Sequence, residues 1–246
     1  MQTTQTLCLH SGNKNYSSWS MRPWVLMVQA GIPFTEHIIA LDQPTTASAI
    51  AAVSQTGKVP VLEVTRTDGS HYQIHDSLAI CETISDLYPD HHLHPADTQL
   101  RALARSACAE MHTGFVKLRQ FASMNITRVL TDAETALFPY AEVLPEVHRL
   151  IAVWQQLLQH PRRIETAQSA WLLGEFGIVD AFFAPVMTRI NSYRITDHIC
   201  LPDDVATYMH FALSSTGYQR WFAEARAELA SGTMNYPTTD RLYRVA

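Results

Sequence analysis

Two adjacent hydroxyls, Ser17 and Ser18, fall where a short strand pattern gives way to an amphipathic helix, within residues 15–33. A helix N-terminus exposes unpaired backbone N–H groups and carries partial positive charge, so an anion, including a thiolate, is stabilised there. A free thiol titrates near 8.5 and is only a few per cent thiolate at neutral pH. Lowering that pKa by about two units requires about 2.7 kcal/mol of preferential stabilisation of the anion. One hydroxyl hydrogen bond combined with a helix N-terminus is of the right size. Two later segments extend this hint into a site: Gly57-Lys58-Val59-Pro60 and His75-Asp76-Ser77-Leu78-Ala79. Together the three segments suggest a pocket for a small, multiply charged thiol.

The elements that would position these residues are readable from periodicity. Leu7-Cys8-Leu9 is a short apolar strand, and the polar turn Ser11-Gly12-Asn13-Lys14-Asn15 follows it. The next helix has Ser20 as its expected N-cap, Pro23 in the first turn, and Gly31 with Pro33 as its stop. A second strand over 34–41 makes a parallel strand–helix–strand unit, and a short polar helix covers 45–54. Residues 61–64 and 71–74 form a hairpin through Asp68-Gly69, and Asp76-Ser77 open a helix that ends at Pro89. The order β-α-β-α-β-β-α describes a compact α/β layer. Composition changes at the polar linker Asp90-His91-His92-Leu93-His94-Pro95, beyond which helical periodicity dominates. Helices are expected near 98–125, 134–160, 178–193, 203–212 and 215–230, with an aperiodic tail from Ser231. The division is therefore 1–88, a linker at 89–97, and an all-helical 98–246.

The net charge of −5 argues against general affinity for nucleic acid or anionic lipid. The N-terminal lead is polar, no apolar run reaches the length of a membrane span, and Cys8, Cys81, Cys108 and Cys200 form no CxxC or zinc pattern. These features point to a cytoplasmic protein with reduced thiols, with neither a membrane nor a nucleic acid as partner. His91, His92 and His94 lie in the linker without a metal-site spacing and read as a solvated segment, so no metal is assigned. GxSxG, Walker-type and GxGxxG loops are absent.

With Ser17-Ser18-Trp19-Ser20-Met21-Arg22, Lys58-Val59-Pro60, Asp76-Ser77 and Gly177-Ile178-Val179-Asp180 in this order, nearly the whole chain resembles the cytosolic glutathione transferases. The first motif resembles the serine motif of the zeta and theta-like classes. The resemblance implies a thioredoxin-like α/β N-terminal domain followed by an all-α C-terminal domain. It also implies that glutathione is the co-substrate and that the chain is a homodimer. Ser17 would supply the hydroxyl that stabilises the glutathione thiolate, with Ser18 one position away as the alternative. Pro60 would be a cis-proline, leaving the Val59 main chain to pair with the cysteinyl unit. Ser77 would take the γ-glutamyl carboxylate and Asp76 the γ-glutamyl amine, at a position where the family usually has Glu or Gln. Lys58 would meet the glycyl carboxylate. Gly177 and Asp180 match a structural helix-start motif, with Asp180 reaching back to the Gly177 N–H.

Trp19, Arg22, Phe115, Arg119 and Phe121 are candidates for the pocket that receives a small electrophile. The implied activity is conjugation of glutathione to that electrophile, as in detoxification. Two alternatives stand beside it. One is a glutathione-dependent cis–trans isomerase of the maleylacetoacetate type, for which Arg22 and Arg119 would be the cationic groups. The zeta motif usually has cysteine where this chain has Trp19. The other is a non-catalytic glutathione-binding or interaction protein on the same fold.

Overall fold

The computed structural model describes residues 5–164 and 169–232. The first half is a four-stranded sheet of order β2-β1-β3-β4, with β1 Thr6–Gly12, β2 Thr35–Ile39, β3 Val61–Thr65 and β4 His71–His75. β1 and β2 run parallel, while β1–β3 and β3–β4 are antiparallel. Helices α1 Ser18–Gln29, α2 Thr46–Ala51 and α3 Ser77–Leu87 complete the predicted β-α-β-α-β-β-α order. Leu7 and Leu9 of β1 and Leu62 and Val64 of β3 are buried, joining α1 and α3 in one core. Helices α4 Thr98–Thr113, α5 Val116–Phe121, α6 Asp132–Leu137, α7 Tyr140–Leu158, α8 Ile178–Ser192, α9 Asp203–Leu213 and α10 Thr216–Ala230 follow. This is a thioredoxin-like layer followed by a helical region, the expected fold class.

Two of the long helices expected from periodicity are each split. The 98–125 segment breaks at Gly114-Phe115, where Phe115 takes a left-handed φ of 54° and a Cβ on Gly114 would lie 2.8 Å from the Glu110 carbonyl oxygen. The 134–160 segment breaks at Phe138-Pro139, since proline disfavours helical geometry in the residue before it. The linker also differs from expectation. Pro89–His91 form a short 3-10 turn and Leu93 is buried. The His94 side chain is largely covered, with its Nε2 3.0 Å from Glu82. The Leu93 carbonyl accepts the Ile178 N–H, so this segment docks against the start of α8 rather than standing in solvent. There Asp180 accepts from the Gly177 N–H, the expected reach back, and from the Leu172 N–H. The aperiodic tail from residue 233 lies outside the described residues.

The helix α1 is buried along Ser20–Met27 because it sits between the sheet, α3, α8 and α10. The polar turn before it is buried: Asn13, Lys14 and Asn15 are at most 1% exposed. Each of these side chains has partners. Asn13 Oδ1 accepts the Leu41 N–H. Asn15 Oδ1 accepts the N–H groups of Ile126 and Thr127, and its Nδ2 donates to Asn125. Lys14 Nζ reaches Glu36 at 2.7 Å and Glu224 of α10 at 3.1 Å, and lies over the rings of Trp24 and Trp221.

The Lys14 N–H also donates to Glu228 Oε2. Burial, outweighing the nearby amides and the Lys14 cation, pushes the Glu228 carboxyl up to about 7. A carboxyl raised on folding favours the protonated native state. Its contribution is full below the ordinary glutamate range and is lost as pH rises through about 7. Glu228→Gln, which keeps an acceptor for the Lys14 N–H, should raise Tm at pH 8 and leave it unchanged near pH 4.5. Thermal melts of both proteins across that range check this.

Candidate functional site

The sheet's C-terminal strand ends, the α3 N-terminus and α4 enclose a cleft of about 630 Å³. That is ample for a tripeptide-sized ligand. Its walls include Gly57, Lys58, Val59 and Pro60 from the loop before β3, and His75, Asp76 and Ser77 from the β4–α3 junction. Trp19 of α1, Leu41, Ile50, Thr56 and His112 of α4 complete it. The two later segments singled out in the sequence thus meet across one cavity.

Each is held by local chemistry. Ser54 Oγ donates to the Lys58 carbonyl and accepts the Lys58 N–H, fixing the loop that presents Val59. The Val59–Pro60 peptide bond is cis, as expected. Asp76 caps α3, its Oδ1 accepting from the Leu78 and Ala79 N–H groups. Its backbone has φ 80° and ψ 133°, a region costly for a side-chain-bearing residue. Ser77 is 1% exposed, and its Oγ is buried in the cleft wall without a protein partner. An unpaired buried hydroxyl beside a helix N-terminus suits a carboxylate oxygen.

Ser17 is the N-cap residue of α1, so the helix starts three residues earlier than a Ser20 cap would place it. Ser20 lies inside the first turn and serves as an acceptor instead. Its Oγ accepts the Gly12 N–H at 3.0 Å and the Ser17 hydroxyl at 2.8 Å. Pro23 accordingly falls within the helix rather than at its start. Ser17 is buried and is not among the residues that line the cleft. A Cβ built on Gly12 would meet Leu41 Cδ1 at 2.6 Å and Ser17 Oγ at 3.0 Å, which places Ser17 near Leu41. Ser18 is half-buried and is also not a wall residue.

The electrophile candidates separate. Trp19 is a wall residue, and the Arg22 guanidinium stacks on its ring at 4.3 Å. Arg22 itself is 2% exposed, held between Trp19 and Phe182, with Nε and Nη1 unpartnered. Burial and the nearby Arg189 lower its pKa to about 9, which still leaves it charged at neutral pH. Arg119 lies 5.8 Å from the Trp19 ring and donates to the carbonyls of Met111 and His112. Phe115 is buried in the core, and Phe121 packs against it, so neither lines the cleft.

His112 was missed by sequence reasoning. Its Nε2 is 3.1 Å from Asp76 Oδ2, and its ring meets Trp19 edge-on at 5.2 Å. A histidine on an amphipathic helix carries no signal of its own. Only the packing of α4 over α3 brings it to the cleft.

The strain at Asp76 predicts the stability of its glycine variant. Relief of the backbone conformation, about 1–3 kcal/mol, opposes the added unfolded-state freedom of about 0.5–1 kcal/mol and a small loss of capping. Asp76→Gly should therefore be at least as stable as the parent in a urea titration, whereas Asp76→Ala should be clearly less stable.

Residues 16–87 match the family model for the glutathione S-transferase N-terminal domain. No curated protein matches the chain. Among solved structures, it resembles a glutathione transferase homolog from Burkholderia gl BGR1 with bound glutathione (TM-score 0.62, 21% identity, 90% of this chain and 98% of that one). It also resembles glutathione transferase Omega 2S from Trametes versicolor (TM-score 0.66, 18% identity, 98% and 100%). A third likeness is to a maleylacetoacetate isomerase from Anaeromyxobacter dehalogenans 2CP-1 with bound GSH in its active site (TM-score 0.60, 19% identity, 89% and 95%). At these identities the likeness is one of fold. Over residues 16–87 the chain is thus similar to the glutathione S-transferase N-terminal domain, and its fold, helical region included, is that of the glutathione transferases.

Proposed function

We propose that this protein is a glutathione transferase that binds glutathione in the cleft and conjugates it to a small electrophile. The observation that carries the reading is the convergence of the Lys58–Pro60 and Asp76–Ser77 segments on one cavity, with the Ser77 hydroxyl unpaired. In this pose the Val59 main chain holds the cysteinyl unit as an added strand would. The γ-glutamyl carboxylate takes the Ser77 hydroxyl and the α3 N-terminus, and its amine takes Asp76, which already pairs with His112. Lys58, exposed at the rim, meets the glycyl carboxylate.

The thiol then lies toward the start of α1, where the helix N-terminus stabilises its anion and Ser17 supplies a hydroxyl. Ser17 must turn from Ser20 to do so, so one internal hydrogen bond is exchanged for one to a thiolate, and charge-assisted bonds are the stronger kind. The electrophile sits against Trp19, and the rate enhancement comes from thiolate population and positioning. The reading includes the division at 89–97, a serine-type mechanism, a cytoplasmic location and a homodimer, all on the family resemblance.

Titration of the purified protein with reduced glutathione, following thiolate absorbance across pH, tests this. A thiolate should appear below pH 7 in the parent and be lost in Ser17→Ala; its persistence there with loss in Ser18→Ala would move the role to Ser18. Asp76→Gly, though folded, should bind glutathione at least tenfold more weakly, about the value of one charged contact. Absence of glutathione binding in the parent overturns the reading and leaves an interaction protein.

A second reading is favoured by the unpaired Arg22 against Trp19 and by Arg119 beside it. Their charge favours an acidic acceptor, so the chain would act as a glutathione-dependent isomerase of a maleyl-type diacid. Turnover of such a diacid without consumption of glutathione would select it, and stoichiometric loss of thiol would select conjugation.

A further inference from the structure

The sheet face opposite α1 carries a second set of chemistry-bearing residues. Side chains alternate along β1, so the burial of Leu7 and Leu9 on one face sends Cys8 and His10 to the other. The parallel register of β1 and β2 sets His10 directly beside His37. Their Nδ1 atoms are 3.3 Å apart, and the two rings are nearly perpendicular. His10 is 8% exposed with its Nε2 buried and unpartnered, while His37 is exposed. Glu63, opposite Cys8 on β3, adds negative charge near His10.

We propose that His10 and His37 form a two-histidine clip for a borderline divalent cation, zinc in particular, on the outer face of the sheet. Zinc–imidazole bonds are about 2.0–2.1 Å long, so two nitrogens 3.3 Å apart subtend about 107° at a shared ion, close to the tetrahedral angle. A square-planar or octahedral ion needs about 2.9 Å for adjacent nitrogens at the same bond length, so the spacing favours a tetrahedral ion. The ion would take the place of the proton now shared by the two rings. The ligands must be neutral imidazoles, so binding weakens as pH falls. Among the described residues no group of three or more His, Cys, Asp or Glu side chains is placed to hold a metal, so water completes the coordination. Glu63 then contributes through its field rather than as a ligand.

The site is separate from the cleft and independent of the proposed activity. A bound ion would join β1, which runs into the Asn13–Asn15 segment, to β2, which leads to Leu41 in the cleft wall. Its first effect is on stability, because a ligand that binds only the native state raises Tm with concentration.

The test uses the full chain, freed of metal by a chelator and dialysed into non-coordinating buffer, with zinc chloride as the probe and no glutathione present. Calorimetry should show one zinc per chain, and Tm should rise with zinc concentration. His37→Ala replaces an exposed side chain and should fold as the parent does, but lose both signals. Cobalt(II), as a spectroscopic substitute, should give the visible bands of a four-coordinate ion in the parent and not in the variant. Zinc binding of equal strength in His37→Ala, as would arise at the His91–His92 segment, overturns the proposal. So does an unchanged Tm in the parent at millimolar zinc.

Discussion

A fully buried ammonium group holds the two halves of this molecule in register. Removing Lys14 Nζ from water is costly, and the cost is offset only where opposite charge and good geometry are both supplied. Here the supply is divided: Glu36 comes from β2, Glu224 from α10, and the two indoles, edge to face with each other, from α1 and α10. The pair with Glu224 and the contact with Trp221 therefore form only when the helical region is docked. Trp24 Nε1 also donates to Glu36, which ties the aromatic and ionic parts into one network. A network of this kind selects one docking geometry, because any displacement leaves a buried charge unpaired.

The consequences run along the chain in both directions from Lys14. Asn13 fixes the backbone at Leu41, a cleft wall residue, and Asn15 fixes the segment at Ile126 and Thr127 of the helical region. Two residues further on, Ser17 caps α1, so the position of the N-terminal end of that helix is set by three buried polar side chains. The same docking sets α4 over α3, which brings His112 to Asp76 and closes the cleft from the helical side. Fold stability and cleft geometry thus share one cause.

Trp19, a cleft wall residue, is also the ring on which a buried guanidinium is packed. Arg22 and Arg119 lie near its ring, and among the described residues no carboxylate pairs with Arg22. A guanidinium held at low dielectric between two aromatic faces keeps its charge because stacking replaces part of its hydration.

Much of this was legible in the sequence. The α/β order, the parallel β1–β2 pair, the Gly31 stop, the cis Val59–Pro60 bond and the Asp180 reach to Gly177 all follow from local rules of pattern, capping and turn chemistry, together with the family likeness that those motifs carry. So do the two segments that line the cleft. What the sequence could not decide depends on groups distant in the chain. Asn13-Lys14-Asn15 has the composition of a solvated turn, and only the arrival of Asn125 and Glu224 makes it a buried clamp. Ser20 reads as a cap, but the return of β1 past α1 turns it into the acceptor for Ser17 and Gly12. Arg22 reads as a pocket cation and is instead packed against Trp19, while His112 and the His10–His37 pair had no signal at all. Local patterns fix which backbone forms where; the partners that satisfy buried polar side chains exist only once the helices have docked.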